Sequence, residues 1–195
     1  MRGRVVVAGG GPAGLAAAIH LAGRGLDVTV LERAAAPPDK ACGEGLVPSG
    51  VEELETMGAR ELLEESECHP LAGVRYVQED GGHATGRFPA PGGLGIRRSA
   101  LTRVLAETAN GAGVRITWNC RLKDHYCGRE EVRLETSAGP LAADLLVAAD
   151  GLHSPVRKRA GLLPAPGDGR RYGVRRHFHH APDSDFVEVH LAQGR

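Results

Sequence analysis

Three glycines and one acid at fixed spacing carry the first sign of chemistry: Gly9-x-Gly11-x-x-Gly14, then Glu32. Before them stands Val5-Val6-Val7, continuous and β-branched, which suits a strand buried on both faces. After them Pro12, Ala13 and Gly14 open an alanine-rich helix, and Asp27-Val-Thr-Val-Leu leads into a second strand that Glu32 ends. Strand, glycine turn, helix and acid-tipped strand together form a βαβ unit for binding a dinucleotide. Gly9 permits the sharp turn. Gly11 lets a pyrophosphate reach the backbone, and Gly14 lets the helix pack close to the strand. The helix starting near Pro12 aims its unpaired N–H groups and positive dipole end at the phosphates. The Glu32 carboxylate can accept hydrogen bonds from ribose hydroxyls and would repel a 2′-phosphate. Leu15, Ile19 and Leu26 are predicted to bury one helix face against the sheet.

The rest of the chain must hold this unit. Its 195 residues carry 24 basic and 24 acidic side chains, so net charge gives no case for nucleic acid or an anionic membrane. No apolar run approaches the ~20 residues of a membrane span. The N-terminus runs straight into the first strand, which predicts no signal peptide. Cys42, Cys68, Cys120 and Cys127 lack C-x-x-C spacing, so a reduced, cytoplasmic setting is expected. Ser49 with Glu52 reads as a capping box ahead of a Val51, Leu54, Met57 stripe, followed by a short helix near Arg60–Glu64. Val74–Gln78 and His83–Phe88 flank Gly81-Gly82 as a hairpin. Leu94–Arg97 leads to a helix capped at Ser99 or a neighbour, with Leu101, Val104, Leu105 and Ala109 inward. Val114–Trp118 returns to the sheet. Cys120–Tyr126, Glu131–Thr136 and Pro140–Ala143 form an antiparallel meander. Leu145–Ala149 is a further apolar strand, ending in Asp150-Gly151 before a short helix from Ser154 through Arg159. Tyr172–His179 and Phe186–Leu191 alternate and predict two more strands.

Three separated motifs now line up: the glycine turn with Glu32, Arg98 heading the Leu101/Leu105 helix, and Ala149-Asp-Gly-Leu-His-Ser-Pro-Val-Arg157. Together they resemble the FAD-binding domain of the para-hydroxybenzoate hydroxylase-like flavoproteins. That superfamily contains aromatic monooxygenases, geranylgeranyl reductases and flavin-dependent halogenases. The resemblance implies an α/β fold: a Rossmann-like FAD-binding domain with a βαβ unit and an antiparallel β-meander, plus the start of a β-rich substrate domain. Residues 1–195 would be FAD-binding domain interleaved with substrate-side sheet at about 69–97 and 170–195. It also implies cofactor contacts at Gly9, Gly11, Pro12, Ala13, Gly14, Glu32, Arg33, Cys42, Gly43, Arg98, Asp150, Gly151 and Arg157. On residues alone, Asp150-Gly151 also fits a strand-end turn, and Arg98 a surface arginine placed unfavourably in a helix's first turn. Lys40-Ala-Cys-Gly-Glu-Gly-Leu-Val-Pro48 resembles a Cys-Gly-Glu/Asp stretch of reductase-like and hydroxylase-like members, which places it near the isoalloxazine. Cys42 would be a proton donor, a flavin neighbour or a small buried hydrophobe; Glu44 is the weaker candidate for catalysis.

The implied function is an FAD-dependent oxidoreductase, first of all a monooxygenase using external NAD(P)H and O2 on a small organic substrate. The alternatives are a reductase of the geranylgeranyl reductase type, or a truncated FAD- or partner-binding fragment. Family members continue well past 195 residues to a later Gly-Asp motif, and Gly167-Asp168 lacks that motif's flanking strand and helix. The C-terminal part of the architecture is therefore expected to be absent, leaving a sheet edge at Phe186–Leu191 open to self-association or a complementing chain. His177, His179 and His180 lack a matched ligand set, so no metal is expected and they read as exposed strand histidines. Arg170, Arg171, Arg175 and Arg176 read as a solvated face or a lining of the substrate region.

Overall fold

The computed structural model describes residues 3–162 and 172–192. They fall into two compact units, Met1–Asp39 with Leu101–Tyr172 and Lys40–Ala100 with Gly173–Arg195. In chain order the elements are β1 (Arg4–Ala8), α1 (Pro12–Gly23), β2 (Asp27–Leu31), β3 (Gly45–Leu46), α2 (Pro48–Thr56), β4 (Cys68–Leu71), β5 (Gly73–Val77), β6 (His83–Arg87) and β7 (Gly93–Ile96). Then follow α3 (Arg98–Gly111), β8 (Arg115–Thr117), β9 (Leu122–Cys127), β10 (Val132–Thr136), β11 (Gly139–Ala143), β12 (Leu145–Ala148), α4 (Pro155–Arg159) and β13 (Phe186–His190). Single 3-10 turns at Arg60–Leu62 and Glu65–Glu67 follow α2.

The first unit is built on a parallel sheet in the order β12-β1-β2-β8. Val5 pairs with Leu145 on one side and with Val28 on the other, so β1 lies inside the sheet. Its valines are buried on both faces, as a continuous β-branched run requires. Helix α1 packs on β1 and β2, burying Leu15, Ala18 and Ile19. The meander β11-β10-β9 is antiparallel. Val6, Leu31, Cys120, Leu134 and Ala143 close a core, with Leu122, Val132 and Leu146 packed against it. The free thiol of Cys120 is thus an apolar core group. Leu26 departs from expectation. The helix ends at Gly23, and Gly25 (φ 81°) turns the chain, so Leu26 lies half-buried beyond the helical face.

The second unit holds two three-stranded sheets. One is antiparallel, in the order β3-β7-β4; the other has β13 parallel to β5 and β6 antiparallel to it. Two expectations are corrected here. Ser49 does not cap α2. Val47 is the N-cap and Pro48 the first helical residue, because proline presets the helical φ and the N–H it lacks has no partner within the helix at that position. Val51 and Leu54 are buried, while Met57 stands at the C-cap. The reciprocal Glu64/Glu67 pair of the second 3-10 turn forms the capping box instead. Residues 172–179 form no strand; only Phe186–His190 does. Gly167, Asp168, Arg170 and Arg171 lie outside the described residues.

Candidate functional site

The carboxyl ends of β1, β2 and β12 bring the first set of predicted residues together. Backbone bonds extend each strand by a residue: the Gly9 N–H donates to Leu31 O at 2.8 Å, Ala149 N–H to Ala8 O at 2.8 Å and Glu32 N–H to Thr117 O at 3.0 Å. The glycine turn, Glu32 and Asp150 therefore emerge on one sheet edge, the position where open α/β sheets bind ligands. Gly9 has φ 109°, and a Cβ there would lie 2.3 Å from Ala149 O. A Cβ on Gly14 would lie 1.9 Å from Gly9 O. Both positions leave no room for a methyl group, so the turn hugs the strand ends.

Glu32 is 5% exposed, and both its oxygens are engaged. Oε2 accepts the Gly10 N–H at 2.8 Å and Oε1 the Ala34 N–H at 2.9 Å. A carboxylate has about four acceptor sites, so two remain for hydroxyl donors. Gly10 was not among the sequence candidates; the signal was its place opposite the acid. At α1, Gly11 is the N-cap and no side chain caps the first turn. Asp150 Oδ2 accepts the Val156 N–H at 3.2 Å. Its Oδ1 is buried without a hydrogen-bond partner among the described residues, and so is Arg157 Nε. Ser154 caps α4 by accepting the Arg157 N–H at 2.9 Å, while the Arg157 guanidinium donates to Leu152 O. Gly151 has φ 92° and Arg33 is exposed. Buried polar groups normally find partners. An orphaned acid oxygen, an uncapped helix start and a methyl-free turn are the complement of a hydroxylated, phosphate-bearing ligand. Two hollows of this unit that have Arg4 and Asp27 in their walls contain none of Gly9, Glu32 or Asp150.

Cys42, Gly43, Glu44 and Arg98 belong to the second unit. Glu44 is the organising group there. Its backbone is left-handed, φ 52°, and its N–H donates to Cys42 Sγ at 3.4 Å. Oε1 accepts from the Arg98 N–H at 2.9 Å and from Arg175 Nη1 at 2.8 Å; Oε2 accepts from His177 Nε2 at 2.6 Å. Arg175 also donates to Lys40 O at 3.2 Å. The carboxylate at the start of α3 offsets the misplaced Arg98 cation. The sequence alone reads Arg175 as a solvated face or a lining of the substrate region and His177 as an exposed strand histidine, because only the fold brings them to Glu44.

Burial alone pushes the Glu44 carboxyl up. The Arg98 N–H, the His177 hydrogen bond and the Arg175 charge outweigh that and hold it below its ordinary value of 4.5. In the first unit the Arg4 N–H, at 2.7 Å, and the Arg4 guanidinium hold Asp144 below its ordinary 3.8. Both folded values are depressed. The stability they contribute is complete above the unfolded values and is lost as pH falls through the folded ones. Acid titration followed by circular dichroism is therefore expected to show unchanged stability near pH 5 and a decline below about pH 4. Asp144→Asn and Glu44→Gln should each shrink that decline; an unchanged acid limb in both variants would remove these carboxylates from the account.

A parallel sheet bearing a glycine turn, a buried acid and an Asp-Gly loop on its carboxyl edge defines a dinucleotide-binding protein of the flavoprotein kind. The chain belongs to the FAD binding domain family, which it matches over residues 2–189. It is 34% identical over 164 residues to a menaquinone reductase of Mycobacterium tuberculosis, covering 80% of this chain and 40% of that protein. It is 31% identical over 172 residues to the 6-methylpretetramide 4-monooxygenase of Streptomyces rimosus, covering 82% of this chain and 30% of that one. It is similar in structure to CmlS, a flavin-dependent halogenase, with a TM-score of 0.74 and 25% identity over 83% of this chain and 31% of that chain. The chain thus spans well under half the length of these relatives.

Proposed function

We propose that this chain is the FAD-holding part of an FAD-dependent oxidoreductase, a monooxygenase that acts on a small organic substrate with NAD(P)H and O2. The observation that carries the reading is the convergence of the methyl-free glycine turn, buried Glu32 and the orphaned Asp150 oxygen on one sheet edge. Gly9, Gly11, Pro12, Ala13 and Gly14 would receive the pyrophosphate at the start of α1. Glu32 would hold ribose hydroxyls, with Arg33 beside it. Asp150, Gly151 and Arg157 would take a second polar stretch of the cofactor, Asp150 Oδ1 accepting a hydroxyl proton. Cys42, Gly43 and Arg98 join the set on the resemblance alone. Bound FAD supplies the electron transfer between donor, oxygen and substrate; these residues bind and orient it.

The test is cofactor capture. The purified chain is mixed with FAD, freed of excess, denatured, and the released flavin identified by absorbance and chromatography. About one FAD per chain is expected. No bound flavin would show that this chain alone does not suffice for capture. A chain that holds FAD without turnover would be a cofactor-binding fragment.

The menaquinone reductase similarity favours a second reading, a reductase that passes electrons to an organic acceptor. NAD(P)H-dependent oxygen consumption by the full-length protein separates the two, since a reductase consumes no oxygen in its reaction. No helix among the described residues is long and apolar enough to cross a membrane. Four free thiols support a cytoplasmic setting. The β13 edge is our proposed place for self-association or a complementing chain, and light scattering across a concentration series tests it.

A further inference from the structure

We propose that Glu44 is a positioning residue of the Cys42–Gly45 turn, held by a proton-ordered relay from Arg97 through His177, and that it is not the acid of the site. The inference rests on the reading above that this turn meets the flavin. The order of the relay follows from donor chemistry. Arg97 Nη1 lies 2.8 Å from His177 Nδ1. A guanidinium only donates, so Nδ1 accepts and the imidazole proton sits on Nε2. That Nε2–H points at Glu44 Oε2, 2.6 Å away. Glu44 therefore faces three donors: the Arg98 N–H, Arg175 Nη1 and the His177 Nε2–H. A protonated carboxyl would bring a fourth hydrogen into a ring that already supplies three. Its role is to accept.

What the carboxylate holds is the turn itself. Glu44 sits at φ 52°, a conformation uncommon for a residue with a side chain. Its N–H donates to Cys42 Sγ, and Arg175 reaches from Glu44 to the Lys40 carbonyl. One ion thus sets the path of residues 40–45. Of the two candidates for proton donation, Cys42 is the one that remains.

Proton order makes the proposal testable without activity. In Glu44→Gln, the amide oxygen still accepts from Arg98 and Arg175, but the amide nitrogen meets the His177 Nε2–H, donor against donor. Moving the imidazole proton to Nδ1 would relieve this, yet Nδ1 then faces the Arg97 guanidinium. Only removal of Arg97 frees the tautomer. Glu44→Gln is therefore expected to speed tryptic cleavage after Lys40 by about 10- to 100-fold, the range for losing one hydrogen bond to a charged group. Arg97→Ala in the same chain should reverse most of that gain, although it deletes a further contact. Additive damage in the double variant overturns the relay. Long-range proton–nitrogen spectra of the 15N-labelled wild-type chain, assigned with His177→Asn, should show Nε2 protonated and Nδ1 bare. An Nδ1–H tautomer there overturns the proposal even if Glu44→Gln fails to fold. Flavin capture measured on the same samples keeps the two readings apart: a rescued, FAD-free chain supports the relay and counts only against the flavin.

Discussion

Gly14→Ala is expected to lower the melting temperature by several degrees and to abolish flavin capture. The added Cβ would sit 1.9 Å from Gly9 O and 3.1 Å from Gly9 C. Both are backbone atoms, so no rotamer change relieves the overlap. The turn, the helix start or both must shift. Overpacking of this kind costs about 1–3 kcal/mol or more, and each kcal/mol is worth about 2–4 °C in a protein of this size. Flavin capture should suffer more than stability, because the shift displaces the N–H groups at the start of α1. Gly23 provides the control. It closes the same helix, and a Cβ there meets nothing within 4 Å, so Gly23→Ala should be neutral or slightly stabilising. Equal loss of flavin in both variants would sever the link between the glycine turn and the cofactor.

The second large effect is expected at Glu32. Glu32→Ala strips the acceptor from two N–H groups, Gly10 and Ala34, in a buried position. Each orphaned donor costs about 1–3 kcal/mol, which predicts about 2–5 kcal/mol for the pair after partial relaxation. Glu32→Gln keeps one acceptor and sets an amide N–H₂ against the other donor, so it should lose roughly half as much. Chemical denaturation of the three proteins ranks them. If Glu32→Ala unfolds at the wild-type midpoint, water has replaced the carboxylate and the acid is reserved for the ligand alone. In either case flavin capture should fall in both variants.

The first thirty-three residues were readable because local signals agreed: β-branched strand, glycine turn, helix and acid all point to one geometry. The meander and the Asp150-Gly151 loop were equally visible, since hairpin spacing and an apolar strand need no distant partner to be recognised. The misses share a cause. Ser49 and Glu52 match a capping pattern, but Val47 is the N-cap and Pro48 starts the helix two residues ahead of that pattern. The alternation in Tyr172–His179 is real, yet it serves side chains rather than a pleat: Arg175 and His177 both reach Glu44. The Glu44 network was invisible because its members lie 54 to 133 residues apart in the chain. Nothing in local composition announces a contact of that span.

The pairing of β1 with β12 also has a consequence for how the molecule is made. Arg4 and Asp144, one residue ahead of each register, are 140 positions apart. At about 5–20 residues per second of synthesis, β1 waits roughly 7–28 s for its neighbour to leave the ribosome. During that interval β2 covers one side of β1 while the other side is an apolar, unpaired edge. Four of the five residues of β1 are buried in the folded chain, so a strand built for the core is left with one open edge in the nascent chain. Slow, long-range strand closure of this kind is where chaperone dependence and inclusion-body formation begin.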